Sequence, residues 1–195
     1  MYKVVGNTST RALRVIWMLE ELGLPFDHIP AKPRSEAAFA ANPAGKVPVL
    51  IDGDAAITDS TAILQYLADK HGALTYPAGT LDRARQDSLT HFLLDEFDAC
   101  LWTAARHSFV LPEDKRVPAI KEPLKWEFQR SQTALVQRMG DGPFVMGERM
   151  TVPDIILTEC LGWAGEAKFP VTEPSLMAYL ARMQERPAFQ RAMAR

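Results

Sequence analysis

The residues best placed to do chemistry stand where helices and strands begin. Asn7-Thr8-Ser9-Thr10 sets three hydroxyls directly ahead of an amphipathic run that starts at Arg11. Asp59-Ser60 opens a second such run. Short polar side chains at a helix start cap its free N–H groups. The same N–H groups and the helix dipole also form an anion site. Lys46-Val47-Pro48 leads into the apolar stretch Val49-Leu50-Ile51. A proline there is either a trans residue of an edge strand or a cis bond in a tight turn, and Lys46 is either a solvated charge or a cation for an acidic ligand. Thr151-Val152-Pro153-Asp154 has capping-box spacing, with Asp154 reaching back to the Thr151 backbone.

These residues need elements to hold them. Tyr2–Val5 is a short β-prone run. From Arg11 to Leu22, Leu13, Ile16, Trp17, Leu19 and Leu22 recur at helical spacing until Gly23. Phe26–Ile29 alternates as a second strand, and Arg34–Ala41 reads as a short Ala-rich helix. Val47–Ile51 and Ala55–Thr58 flank the hairpin turn Asp52-Gly53. A helix from Ser60 to Lys70 ends at Gly72. The order is βαβ, a helix, a hairpin and a last helix, so the sheet is mixed. Beyond Pro77 and Gly79 the β signal disappears. Helices are expected over Leu81–Arg106, Leu124–Met139, Pro153–Gly165 and Ser175–Glu185, with a short tail after Pro187 and a loop or broken helix over Pro112–Pro123. The helix after Pro153 is apolar on nearly all sides, as a central buried helix is.

The chain has 195 residues, 47% hydrophobic and 24% charged, enough for a sizeable core without disulfides or metals. A formal net charge of −2 argues against a broad basic face for nucleic acid. Cys100 and Cys160 are far apart, with no CxxC and no Cys/His cluster. They read as small buried hydrophobes, with no redox dithiol, no disulfide framework and no metal site. The N-terminus reads as a strand entry, and no apolar stretch is long enough to span a bilayer. A cytoplasmic location follows as the expectation.

Four segments in this order resemble the glutathione transferase family: Ser9–Val15 leading into Leu19-Glu20-Glu21-Leu22-Gly23; Asn42–Leu50; Asp59–Leu67; and Gly147 followed by Thr151–Asp154. The resemblance runs along nearly the whole chain. It implies an α/β thioredoxin-like domain with a mixed sheet over 1–73, a linker over 74–81 and an all-helical domain over 82–195. It implies a cis Val47–Pro48 bond, with the Val47 backbone pairing the cysteinyl backbone of glutathione like an added strand. Asp59 and Ser60 would hold the γ-glutamyl end, Ser60 and the helix N-terminus taking the carboxylate and Asp59 the ammonium. Many family members have Glu where this chain has Asp59. Lys46 would contact the glycine carboxylate, assisted by Arg34 from the preceding helix. Trp102 and His107 would be candidates to line the electrophile pocket.

Transferase chemistry needs the thiolate, and a free thiol has a pKa of about 8.5. Lowering it below neutrality takes about 2.7 kcal/mol. One hydrogen bond to a charged acceptor contributes about 1.5–3 kcal/mol and a helix N-terminus about 0.3–1, so one hydroxyl at the first helix is sufficient. No tyrosine or cysteine stands at that turn. Counting back from Gly23 places Ser9 where the serine of the zeta and tau classes falls, whereas a theta-like register falls on Asn7, which has no hydroxyl. The resemblance therefore implies Ser9 as the activator, Thr10 as the second choice, and Arg11 adding positive potential. It implies glutathione as co-substrate, a small hydrophobic electrophile and a homodimer. Other outcomes on the same frame are peroxide or disulfide reduction, isomerisation, dehalogenation, or a non-catalytic interaction module.

Overall fold

A computed structural model describes residues 1–195. The first segment runs β1 (Tyr2–Val5), α1 (Ala12–Glu21), β2 (Phe26–Ile29), α2 (Glu36–Ala41), β3 (Val49–Asp52), β4 (Ala55–Thr58) and α3 (Ser60–His71). The sheet order is β2-β1-β3-β4. β1 pairs in parallel with β2, Val4 opposite His28. It pairs antiparallel with β3, Val4 opposite Leu50, and β3 pairs antiparallel with β4. This is the mixed sheet that a βαβ unit followed by a hairpin requires.

The pleat sends alternate residues to opposite faces. Val5 and Val49 pack with Ala31, against Ile29, Ile51 and Ala41 of α2. Val4 and Leu50, their neighbours along the strands, are fully buried, as are Ile16 and Trp17 of α1 and Ile63, Leu64 and Leu67 of α3. α1 stops where Gly23 takes a left-handed φ of 64° and Leu24 N–H returns to the Leu19 carbonyl at 3.0 Å. The helix expected from Arg34 starts at Glu36, because the Ser35 hydroxyl caps it by accepting from Ala38 N–H at 3.3 Å. Arg34 therefore stands ahead of α2, in a turn with φ 64°.

The second segment is all helical: α4 (Leu81–Leu93), α5 (Ala99–Ala105), α6 (Lys121–Arg138), α7 (Val152–Glu166) and α8 (Pro174–Gln184). The single α-helix expected over Leu81–Arg106 is a continuous helical path broken in register by π-helical stretches at Leu94–Asp98 and Arg106–Val110. At the second stretch the path ends with Leu111 N–H bonding the Arg106 carbonyl, five residues back, at 3.0 Å. The proline-rich stretch that follows forms two short 3₁₀ turns, Glu113–Lys115 and Pro118–Ile120. Phe97, Phe128 and Phe169 stack edge-to-face at centroid distances of 5.0 and 5.6 Å to make this core. Around them every residue from Val152 to Thr158 of α7 is buried. No helix is long and apolar enough to cross a membrane.

The tail forms α9 (Pro187–Met193). The compact units are residues 1–78 with 183–195, and residues 79–182. The tail, which the sequence assigns to the helical region, thus belongs with the sheet. Phe189 packs edge-on to Trp17 of α1 at 5.0 Å. Arg186 holds Glu21 bidentately at 2.7 and 2.8 Å, and Glu20 accepts from Arg191 at 2.8 Å and Arg195 at 2.7 Å. Burial raises the Glu20 carboxyl pKa, but the two arginines outweigh it and hold it below its ordinary range.

Candidate functional site

The site grows from the place where β1 ends. Gly6 has φ 141°, and a side chain there would meet the Ala12 Cβ at 2.7 Å and the Val47 Cβ at 3.1 Å. Only glycine lets the backbone turn through that gap. The consequence is that the exit of β1, the first residue of α1 and the Val47-Pro48 turn converge on one point. The sequence reading did not single out Gly6. Its signal is a glycine standing alone between a strand run and a helix start.

From Gly6 the chain turns through Asn7–Arg11 into α1. Thr10 N–H donates to the Asn7 carbonyl at 3.0 Å. The Thr10 hydroxyl donates to the same carbonyl at 2.7 Å and accepts from Ala12 N–H at 3.2 Å. A hydroxyl has one proton, and that of Thr10 is committed inside the turn. Ser9 is exposed and its hydroxyl has no partner within the chain. Arg11 occupies the N-cap position of α1.

The Val47–Pro48 bond is cis. Pro48 is buried, Val47 is half-buried, and the Val47 backbone makes no hydrogen bond within the chain. The approach to this turn is built by Asn42. Its side-chain oxygen accepts from Ala44 N–H at 3.0 Å, its backbone carbonyl accepts from Gly45 N–H at 2.7 Å, and its amide donates to the Lys46 carbonyl at 3.0 Å. Arg34 N–H donates to the Gly45 carbonyl at 2.7 Å. Arg34 and Lys46, both exposed, therefore stand on adjoining segments. Arg34 reaches this position from its turn and not from α2.

At the start of α3, Asp59 has φ 71° and ψ 121°, a conformation that costs a residue other than glycine about 1–3 kcal/mol. Its Oδ1 caps the helix, accepting from Thr61 N–H at 2.9 Å and Ala62 N–H at 3.1 Å. The Ser60 N–H and the second Asp59 oxygen remain open. Ser60 is buried, and its Oγ accepts from the Nη1 of Arg14 at 3.4 Å. Because Ser60 accepts from Arg14, its own proton is left to donate outward. Arg14 is fully buried in α1 and is a second residue the sequence reading missed. A charged residue inside a run of buried apolar positions was the available signal.

The sheet unit thus brings Ser9, Thr10 and Arg11, the Val47-Pro48 turn with Arg34 and Lys46 beside it, and Asp59-Ser60 onto a common framework. The links are the Gly6 contacts and the Arg14–Ser60 bond. An open N–H and hydroxyl at a helix start suit a carboxylate, the free Asp59 oxygen suits an ammonium, and an unpaired backbone suits a peptide. That combination is the chemistry of an amino-acid-like ligand with a peptide bond.

In the helical unit His107 Nδ1 accepts from Val117 N–H at 3.0 Å, which ties the following loop to the π-helical stretch. Both cysteines are buried and form no disulfide. Burial, with Glu127 and Glu96 nearby, pushes the Cys100 thiol up to about 12, so it is inert as a nucleophile. Asp98, Glu159 and Cys160 bring one potential ligand atom each within 4.8 Å of one another, a juxtaposition that linear spacing did not reveal. Each of the three is engaged in other interactions.

The fold is that of a thioredoxin-like unit with a mixed four-stranded sheet joined to a helical unit. Residues 7–75 match the family model for the glutathione S-transferase N-terminal domain. Human glutathione S-transferase theta-2 is 30% identical over 173 residues, covering 81% of this chain and 68% of that protein. A glutathione transferase from Methylococcus capsulatus superposes with a TM-score of 0.86 at 29% identity, covering 100% of this chain and 98% of that one. A sphingomonad glutathione S-transferase solved in complex with glutathione gives a TM-score of 0.83 at 27% identity, covering 98% and 97%. The chain belongs to the glutathione S-transferase family.

Proposed function

We propose that the protein binds glutathione along the Val47-Pro48 turn and the start of α3, activates its thiol at Ser9, and adds the thiolate to small hydrophobic electrophiles. The observation that carries this reading is the set of unsatisfied groups in the sheet unit. The Val47 backbone, the Ser60 N–H, one Asp59 oxygen and the Ser9 hydroxyl all lack a partner within the chain. Each matches one part of glutathione: the cysteinyl backbone, the γ-glutamyl carboxylate, the ammonium and the thiol. Lys46 and Arg34 supply cations for the glycine carboxylate. The family resemblance and the glutathione complex of the sphingomonad relative support the same ligand.

Ser9 is preferred to Thr10 because the Thr10 proton already bonds the Asn7 carbonyl. The Ser9 hydroxyl donates to the developing thiolate, and Arg11 adds positive potential at the helix start. The chemistry balances without a redox partner: the thiol releases its proton to solvent, the sulfur forms the new bond to the electrophilic carbon, and the displaced group leaves with the electron pair or, in an addition, the conjugate takes up the pair and a proton. The reading also carries a homodimer, a cytoplasmic location, no metal requirement, and the division into a thioredoxin-like domain (1–73), a linker and a helical domain.

The test is calorimetric titration with glutathione, followed by conjugation assays with a panel of small aryl and allyl electrophiles. Saturable glutathione binding with turnover of at least one electrophile supports the reading. No glutathione binding would refute it and favour an interaction module. Light scattering tests the dimer separately, and a monomer at micromolar concentration would remove that part.

A further inference from the structure

We propose that His28 is a positioning residue for the turn that presents Ser9; this rests on Ser9 being the thiol activator. His28 lies on β2, in register with Val4 of β1. Its Nε2 is 2.7 Å from the Gly6 carbonyl oxygen. A carbonyl only accepts, so Nε2 carries the proton and donates. The next residue of the same strand takes the other polar group of Gly6: Gly6 N–H donates to the Ile29 carbonyl at 3.0 Å. Consecutive residues of β2 thereby hold both backbone polar groups of Gly6, its N–H and its carbonyl.

Gly6 is the last fixed point before the turn. Its φ of 141° and its close approach to Ala12 and Val47 mean that any rotation of Gly6 changes where the turn starts relative to the Val47-Pro48 segment. The far end of the turn is pinned by Thr10, whose hydroxyl bridges the Asn7 carbonyl and Ala12 N–H. Ser9 sits between these two pins with no bond of its own. Its hydroxyl is therefore placed by its neighbours, and His28 is the side chain that hydrogen-bonds the entry pin from another element. An ordinary β2 residue at this position would leave the Gly6 carbonyl without that donor.

The test compares wild type with His28→Phe, which keeps a ring without a donor, and His28→Gln, which keeps an N–H at similar reach. Three quantities are measured at neutral pH: the glutathione Kd, the ultraviolet absorbance of bound thiolate, and kcat against KM. Small misplacement of a reacting group costs rate steeply. His28→Phe should lower the thiolate fraction about threefold and kcat about tenfold while changing Kd by less than about twofold. His28→Gln should restore both to within about twofold of wild type. A merely structural role would lower stability without moving the thiolate fraction of the bound ligand. Wild-type thiolate and kcat in His28→Phe, or a His28→Gln protein as defective as His28→Phe, would overturn the proposal. If His28→Phe does not fold, His28→Gln decides alone: a retained thiolate signal supports the role and a lost one refutes it. Ser9→Ala, measured in parallel, separates the two readings. A signal lost in Ser9→Ala but kept in His28→Phe leaves Ser9 standing and removes His28. A signal kept in Ser9→Ala removes both.

Discussion

Two helices of this protein begin with an aspartate and a hydroxyl, and the two starts have opposite fates. At α7, Asp154 is fully buried, and each of its oxygens takes two donors. Oδ1 accepts from Val145 N–H and Tyr179 O–H, both at 2.8 Å, and Oδ2 accepts from Thr151 N–H at 2.7 Å and the Thr151 hydroxyl at 3.1 Å. Nothing is left over for a ligand. At α3, Asp59 is exposed, adopts a costly backbone conformation and spends one oxygen on the cap. The same helix-start grammar makes a folding device where every group is satisfied internally and dry. At α3 groups are left open for a ligand and the backbone is strained.

The same substitution applied to both aspartates tests that contrast. Asp154→Asn should produce the largest effect, a loss of about 3 kcal/mol of unfolding free energy in denaturant titration. Each Asp154 oxygen faces a backbone N–H, so an amide NH₂ in either position sets donor against donor. The folded fraction should still bind glutathione with the wild-type Kd. Asp59→Asn should do the reverse, because Asn caps as well as Asp. Stability should hold, while glutathione affinity falls about tenfold through loss of the charge that meets the ammonium. Equal stability losses in the two variants would erase the distinction.

The pH dependence sharpens it. Burial raises the Asp154 carboxyl above its ordinary value, against the pull of its four donors. The folded state then holds the Asp154 proton more tightly than the unfolded chain does. The Asp154 contribution to stability therefore declines as pH rises from the ordinary aspartate range through the raised folded value, and is flat above it. The stability difference between wild type and Asp154→Asn should narrow over that window. A difference independent of pH would contradict the raised value. The smallest expected effect is on stability in Asp59→Gly. Glycine relieves the positive φ while giving up the cap, so unfolding free energy should stay within about 1 kcal/mol of wild type even as glutathione affinity drops. A large stability loss would show that Asp59 is a structural cap after all.

Much of this was legible in the sequence because it is written in local patterns. The strand–helix order, the hairpin at Asp52-Gly53 and the capping box at Thr151 depend on neighbours within a few residues, and the structure reproduces them. What was not legible depends on contacts distant in sequence. His28 and Gly6 meet only because β2 pairs with β1, and Arg14 meets Ser60 only because α1 and α3 pack together. The C-terminal tail joins the sheet unit through contacts distant in sequence, Arg186 with Glu21 and Arg191 and Arg195 with Glu20 of α1. The π-helical stretches shift the register by one residue, which hydrophobic periodicity does not register. The start of α2 moved because the Ser35 cap, with Arg34 bonding the Gly45 carbonyl, outweighed the Ala-rich pattern.

The central claim is that an otherwise unbonded hydroxyl, Ser9, turns bound glutathione into a thiolate. The most direct measurement is the ultraviolet thiolate absorbance of the glutathione complex in wild type, Ser9→Ala and Thr10→Ala at matched saturation. The account predicts a signal in wild type, its loss in Ser9→Ala, and a largely retained signal in Thr10→Ala, with at most a modest drop from the loosened turn. A signal kept in Ser9→Ala and lost in Thr10→Ala would contradict it and move the activating hydroxyl one residue along the chain.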